Sequence, residues 1–256
     1  MKQVPAMRWK PEYGIKFGES DSDEGGNFAV YYPELKRLDL LKKDMSVLSI
    51  GGGYGTLEVN IVKDYGARLG FIDPSPNLLE LFNARVKKHQ LEPFILERHA
   101  GPFQTFNSPH KYDLIIAIHS WYYVGCDEAA LKKAFDLLKP GGTLYVALSS
   151  RASWYMALKD ILNDTEANLA MEELSDWANT LGYRNEMIMH PGAERLDGWI
   201  QKDSFTEQAE SWMSYIGRKD WSSQPESFKE RVKALVLRAA KEGQLKYYDG
   251  GLVFRA

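Results

Sequence analysis

The segment Ser46-Val47-Leu48-Ser49-Ile50-Gly51-Gly52-Gly53-Tyr54-Gly55-Thr56 constrains the fold more than any other. An apolar run stops abruptly in a glycine cluster, and a helix-like pattern of Leu57, Ile61 and Val62 follows at once. A second apolar run closes about 20 residues later on Ile72-Asp73, the interval at which an α/β sheet sets an acid beside a nucleoside. A strand, a glycine turn and a helix, followed by a strand ending in an acid, predict a nucleoside site. The glycines allow close approach of backbone and supply dihedrals that a side chain forbids. The carboxylate can accept both ribose hydroxyls.

The spacing within the turn is informative. A dinucleotide loop reads G-x-G-x-x-G, its third glycine packing helix against sheet and its pyrophosphate resting on the helix N-terminus. Gly51 and Gly53 fit, but the third position is Thr56, and Gly55 falls one residue early. The pattern is therefore G-x-G-x-G. A glycine turn of any α/β protein is the plainer alternative, and Asp73 weighs against it.

Alternation of short apolar runs with helical patterns continues downstream. Strands are predicted at Met45–Ile50, Arg68–Asp73, Pro93–Arg98, Tyr112–Ile118 and Thr143–Ser149, with helices at Pro76–His89 and Asp127–Leu138 between them. The second helix starts on an Asp suited to capping and stops at Lys139-Pro140-Gly141-Gly142. Such alternation implies a doubly wound, mostly parallel α/β sheet. The exit of the Tyr112–Ile118 strand, Ile118-His119-Ser120, then faces the ligand crevice. Beyond Ser150 a helix at Glu172–Leu181 and a strand ending near His190 precede a polar, tryptophan-containing stretch, with helical runs at Asp203–Ile216 and Pro225–Lys241. An excursion of that length is too long for an unstructured connection. It reads as a helical, substrate-covering insertion over 191–243, in which Trp199, Trp212 and Trp221 are expected mainly to pack, and Leu252–Arg255 is the last strand.

Composition excludes several classes. The chain of 256 residues carries a net charge of −3, so no basic footprint argues for nucleic acid. Cys126 is the single cysteine, which excludes an internal disulfide framework and a cysteine-based metal cluster. The absence of a leader-like opening or a membrane-length apolar run leads to the expectation of a soluble, cytoplasmic protein. The acidic run Glu19–Glu24 reads mostly as solvated surface.

Several blocks occur in the order of a known superfamily. Leu48-Ser49-Ile50-Gly51-Gly52-Gly53-Tyr54-Gly55 resembles motif I of class I S-adenosylmethionine-dependent methyltransferases, whose ligand carries no phosphate. Phe71-Ile72-Asp73-Pro74-Ser75 resembles the acidic strand end, Tyr112-Asp113-Leu114-Ile115 the fourth strand, and Leu137-Leu138-Lys139-Pro140-Gly141-Gly142-Thr143-Leu144 the turn into the fifth. The resemblance implies a seven-stranded Rossmann-like core over 45–190, an N-terminal segment 1–44 closing over the cofactor, and the last strand in 244–256. More narrowly, the chain is similar to the histamine N-methyltransferase group. The carriers are the Gly51–Gly53 loop, Ile118-His119-Ser120-Trp121-Tyr122-Tyr123-Val124, Ser149-Ser150-Arg151-Ala152-Ser153-Trp154 and Tyr247-Tyr248-Asp249-Gly250-Gly251-Leu252. It departs where that group holds a glutamine, here His119, and an asparagine, here Tyr248 or Asp249. The group's N-terminal glutamate corresponds to Glu24.

The implied cofactor is S-adenosylmethionine, with S-adenosylhomocysteine as product and no metal. Asp73 is expected on the ribose and Gly51, Gly52 and Gly53 along the methionine or ribose. Pro74 and Ser75 belong on the adenosine side, Ala100 and Gly101 around adenine, and Ile118 beside the cofactor. His119 has a near-neutral reference pKa suited to a general base or an orienting acceptor. It is the candidate catalytic residue and a contact of both cofactor and substrate. Tyr122, Tyr123 and Trp154 offer aromatic faces to a cation, and Glu24 and Asp249 offer charge to an ammonium. The expected reaction is in-line N-methylation of a small amine or imidazole metabolite, with no nucleic-acid or membrane partner. The alternatives are O-methylation of a hydroxyl or carboxylate, and a non-catalytic protein that binds the cofactor.

Overall fold

The computed structural model describes residues 26–162, 168–217 and 220–256. Five strands run parallel: β1 (Ser46–Ile50), β2 (Arg68–Asp73), β3 (Ile95–Ala100), β4 (Tyr112–Ile118) and β5 (Leu138–Ser149). With β6 (Asn185–Arg195) and β9 (Gln244–Arg255) they form a seven-stranded sheet of order β3-β2-β1-β4-β5-β9-β6, in which β9 is antiparallel to both neighbours. The chain moves outward from β1 through β2 to β3, then crosses back to β4 on the other side of β1. That reversal opens a crevice at the carboxyl ends of β1 and β4, where doubly wound sheets bind ligands.

Helices cover both faces. Side chains alternate across the pleat, so Val47, Leu114 and Ile116 face α1 (Gly26–Arg37), α2 (Thr56–Tyr65) and α3 (Pro76–Lys88). Leu48, Ile50, Ile115 and Ala117 face the opposite layer, built from α4 (Glu128–Leu137) and α6 (Met171–Thr180). Local signals set the helix ends. Asp127 accepts the Ala130 N–H at 3.1 Å as the cap of α4, and Ser75 caps α3 ahead of Pro76. A side-chain cap of this kind contributes about 1 kcal/mol.

The strands depart from expectation in four places, the first being β6, which continues past His190 to Arg195. Pro93 lies in a single 3-10 turn, Glu92–Phe94, so β3 begins at Ile95 and extends to Ala100. The Lys139–Gly142 turn is absorbed into β5 as an irregularity, the pairing moving from Tyr112↔Leu138 to Leu114↔Thr143. β9 is much longer than Leu252–Arg255 and pairs with β6 from Asn185↔Phe254 to Arg195↔Gln244. The glycine pair explains the last miss. Gly250 and Gly251 interrupt the apolar alternation because a side chain at either would strike Ile188 O at 2.0 Å or the Tyr145 ring at 2.4 Å.

Between β6 and β9 the chain forms a small hairpin of β7 (Ile200–Gln201) and β8 (Ser204–Phe205), then α7 (Glu207–Gly217) and α8 (Glu226–Ala239). These pack with α5 (Trp154–Leu162) around Leu158, Trp199, Met213, Trp221, Val236 and Leu245. Trp221 is buried in this cluster, as a packing role requires. No helix among the described residues is long and apolar enough to cross a membrane.

Candidate cofactor and acceptor site

The glycine loop after β1 is bare because neighbouring side chains fill the space a Cβ would need. Gly51 has φ +68°, and a Cβ there would lie 2.4 Å from the Ser120 Cβ. The Ser120 hydroxyl donates to Ile50 O at 2.5 Å, which ties the exit of β4 to the exit of β1. Gly55 has φ +77°, and its Cβ would lie 2.3 Å from Phe82 Cδ2. Phe82 stacks on Phe71 at 3.7 Å and 3°, so the glycine in the early position performs the helix-packing role itself.

Asp73 closes β2 beneath this loop and is only 3% exposed. Its Oδ2 accepts the Gly53 N–H and its Oδ1 the Ser75 N–H, both at 2.8 Å. An ionised carboxylate has about four acceptor positions, so two remain, matching the two hydroxyls of a ribose. Burial pushes the Asp73 carboxyl up to about 7 against the pull of those two amides. Glu58, buried on α2, accepts the Ser49 hydroxyl at 2.6 Å and is also pushed up to about 7, chiefly by burial, with the Asp73 charge adding to it.

A cavity of about 610 Å³ opens over Gly51, Gly52, Gly53, Asp73, Pro74, Ile118, His119, Tyr122 and Tyr123. A neighbouring cavity of about 470 Å³ shares Gly51, Pro74, Ser120 and Tyr123 with it and continues past Gly101, Phe103 and Val124. A polar floor leading into an apolar slot fits a nucleoside, the ribose on Asp73 and the base against the slot.

The far end of the larger cavity is polar in a different way. The chain turns at His119, whose φ of +49° is uncommon outside glycine, while its N–H still bonds Ala147 O at 3.0 Å. The turn brings His119 Nε2 to 2.8 Å from the Tyr31 hydroxyl and 3.8 Å from Asp249 Oδ2. Burial lowers the His119 pKa, with Asp249 opposing and Lys159 assisting. Burial, with Asp249 second, also keeps the Tyr31 phenol protonated. Tyr31 is thus the donor whenever the ring proton sits on Nδ1. Tyr155 donates to Asp249 Oδ1 and accepts the Ser149 hydroxyl at 3.1 Å.

Around this cluster stand Tyr155, Trp199, Trp212 and Tyr247, with Trp199 and Trp212 edge-to-face at 5.1 Å. Glu194 accepts Trp199 Nε1–H at 2.6 Å, and burial raises its pKa. Lys159 and His190 complete the wall. Among the described residues no group of three or more His, Cys, Asp or Glu side chains could hold a metal ion.

The sequence-predicted residues separate into three groups. Gly51, Gly52, Gly53, Asp73, Pro74, Ile118, His119, Tyr122, Tyr123 and Asp249 line the larger cavity, and Gly101 lines the smaller. Ser75, Ala100 and Trp154 line neither. Ser75 is buried as a helix cap and serves Asp73 through its N–H, Ala100 is exposed beside Asp73 in the sheet, and Trp154 is packed edge-on behind Trp199 at 4.6 Å. Glu24 lies outside the described residues. Sequence reasoning missed Tyr31, Tyr155, Lys159, Glu194 and Tyr247; Trp199 and Trp212 pack in the apolar cluster as expected and also line the cavity. One signal was available: Tyr155 and Lys159, four apart on a helix, share a face.

A family model described as a methyltransferase domain matches residues 27–210, most of the chain. No curated protein sequence matches it. A methyltransferase from Thiobacillus denitrificans, solved with S-adenosylhomocysteine, is 19% identical with a TM-score of 0.61, covering 98% of this chain and 100% of its own. A second, from Geobacter sulfurreducens and also bound to S-adenosylhomocysteine, is 19% identical at a TM-score of 0.54, covering 86% and 89%. Coclaurine N-methyltransferase, bound to N-methylheliamine and S-adenosylhomocysteine, is 11% identical at a TM-score of 0.55, covering 89% and 72%. At these identities the structural matches establish the fold, and the family model establishes the chemistry. The chain belongs to the methyltransferase-domain family and is a class I S-adenosylmethionine-dependent methyltransferase.

Proposed function

We propose that this protein methylates the nitrogen of a small amine or imidazole-bearing metabolite, with Asp73 and the Gly51–Gly53 loop holding the cofactor and His119 with Asp249 receiving the acceptor. The observation that carries the reading is the far end of the cavity, where a carboxylate and a neutral imidazole are bounded by aromatic faces. S-adenosylmethionine supplies an already activated methyl group on a sulfonium. The protein must chiefly align the acceptor and exclude water, and such positioning provides a large share of the rate.

The residues divide that work. Asp249, held by Tyr155, attracts an ammonium into the cavity, and the faces of Tyr155, Trp199, Trp212 and Tyr247 favour the same cation. His119 is kept neutral by burial, and in the tautomer whose Nε2–H donates to the Tyr31 hydroxyl its Nδ1 is the free acceptor that orients the N–H of the incoming amine. A nitrogen lone pair must be free for transfer, and a dry pocket favours the neutral amine. The likeness to the histamine N-methyltransferase group adds imidazoles to the candidates. Coclaurine N-methyltransferase, which shares this fold, is bound to N-methylheliamine, and that likeness supports a nitrogen acceptor here.

The test is transfer of labelled methyl from S-adenosylmethionine to a panel of amines, imidazoles, amino acids, phenols and carboxylic acids. Nitrogen acceptors should be labelled, and Asp249→Asn and His119→Ala should each lower that transfer while retaining S-adenosylhomocysteine affinity. Labelling of phenols or carboxylates alone would replace the reading with O-methylation. Binding of the cofactor without transfer to any class would make it a non-catalytic binding protein.

A further inference from the structure

Lys159 has no place in the scheme above. It projects from α5 into the wall of the acceptor end and is partly buried, with its ammonium 5.1 Å from the centre of the Tyr155 ring. Among the described residues it makes no hydrogen bond or ion pair. Nearby charges are already engaged. Asp160, the next residue, is held by Arg151 at 3.2 Å and by Asn168 at 3.0 Å. Arg151 is also paired with Glu173 at 2.5 Å. Asp249 is occupied by Tyr155 and approached by His119. Burial lowers Lys159 to about 8, with Asp249 supporting its charge and Arg151 opposing it. A half-desolvated ammonium with no carboxylate in contact is costly, and long cationic side chains normally turn their heads to water. Here the head stays in the cavity, beside the aromatic wall.

On the amine reading, we infer that Lys159 receives an anionic group of the acceptor, so that the substrate is a zwitterion whose amine meets Asp249 and His119 while its carboxylate meets Lys159. The two opposite charges on one cavity wall select such a molecule twice over. A simple amine satisfies Asp249 but leaves Lys159 unpaired, and a simple acid does the reverse. Discrimination by an unpaired buried group is stronger than discrimination by shape, because the wrong ligand leaves a desolvated charge behind. The class named is therefore an amino acid or an amino-acid-like amine.

The experiment compares acceptor pairs that differ only in the carboxylate, an amino acid against its decarboxylated amine, with an O-phosphorylated amine as a third arm. Wild type should favour the carboxylate member in kcat/KM. Lys159→Met should reduce that preference by about 10- to 100-fold, mainly through KM, as expected for loss of one charge-assisted contact. Lys159→Arg should restore part of it. Equal loss on both members, or a shift of the kcat–pH profile on both, would assign Lys159 to neutralising Asp249 or to proton transfer and overturn the inference. Preference for the phosphorylated arm over the carboxylate would overturn the carboxylate assignment. If oxygen rather than nitrogen is methylated, the amine reading fails, and the same wild-type and Lys159→Met comparison on those acceptors still decides the role of Lys159. Should no acceptor turn over, amino-acid binding to the S-adenosylhomocysteine complex is measured for both proteins, and equal affinities would refute it. Lys159→Gln serves if the methionine variant does not fold.

Discussion

Replacing Asp73 with asparagine tests the cofactor site most directly. The side chain keeps its shape, but one of its two oxygens becomes an NH2 group. In the folded protein both oxygens accept backbone N–H groups at 2.8 Å, from Gly53 and from Ser75. The substituted amide must therefore aim its NH2 at one of those two backbone donors, whichever way it is turned. Losing a hydrogen bond to a charged acceptor costs about 1.5–3 kcal/mol, and leaving a buried donor unsatisfied costs about 1–3 kcal/mol. Part of the second cost falls on folding, so about 3 kcal/mol is expected on binding, which is about two orders of magnitude in Kd. The assay is isothermal titration with S-adenosylhomocysteine at pH 8, where the wild-type carboxyl, set at about 7 by burial, is ionised. A thermal melt of the free variant confirms that it is folded. A Kd within about threefold of wild type, which is well under 1 kcal/mol, would refute the two-site argument for Asp73.

Four further outcomes follow. S-adenosylhomocysteine affinity should be full above pH 7 and fall by up to about tenfold per unit below it, because hydroxyl donors favour the ionised Asp73; a flat profile between pH 5.5 and 8.5 (roughly the span over which such a carboxyl titrates) would remove that residue as the titrating group. Glu58 has a folded-state pKa of about 7 against an ordinary 4.5. The unfolded chain therefore ionises first as pH rises. Burial of Glu58 costs nothing below 4.5, increasingly more up to 7, and a constant amount above. Glu58→Gln should raise Tm at pH 8, on the order of 3 °C for each kcal/mol recovered, and leave it unchanged at pH 4; an equal shift at both values would contradict the assignment. Gly55→Ala should lower stability by about 2–4 kcal/mol, from the left-handed backbone and the crowding of Phe82, read as a urea midpoint; a loss under about 1 kcal/mol would mean that the Phe71–Phe82 stack yields. Tyr31→Phe should lower kcat about tenfold by leaving His119 without its partner, with cofactor affinity retained, and an unaltered kcat would show that Tyr31 is a packing residue.

The parallel half of the sheet was legible because its signals are local. Runs such as Ser46–Ile50 and Tyr112–Ile118 are mostly apolar, broken only by Ser46, Ser49 and Asp113, because most of their positions are buried, and both strands lie where their patterns end. The capping Asp127 and the glycine loop likewise carry their meaning in adjacent residues. β9 was legible only in part, because the Gly250-Gly251 pair is dictated by Ile188 and Tyr145, far away in sequence. Trp154 shows the same limit at the site. Its aromatic character was plain, but the direction of a helix decides whether position 154 or 155 faces the cavity, and it is Tyr155 that does.

By itself the sequence determined the order of strands and helices, the glycine turn with Asp73, and hence the cofactor. These depend on residues within one strand–turn–helix unit, where chain connectivity alone places the groups. The acceptor end was decided only by tertiary structure. Tyr31 from α1, His119 after β4, Tyr155 and Lys159 from α5, Glu194 from β6 and Asp249 from β9 converge there from segments as much as 218 residues apart. No local pattern encodes that meeting. It follows from the crossover of the sheet at β1 and β4 and from the antiparallel return of β9 between β5 and β6.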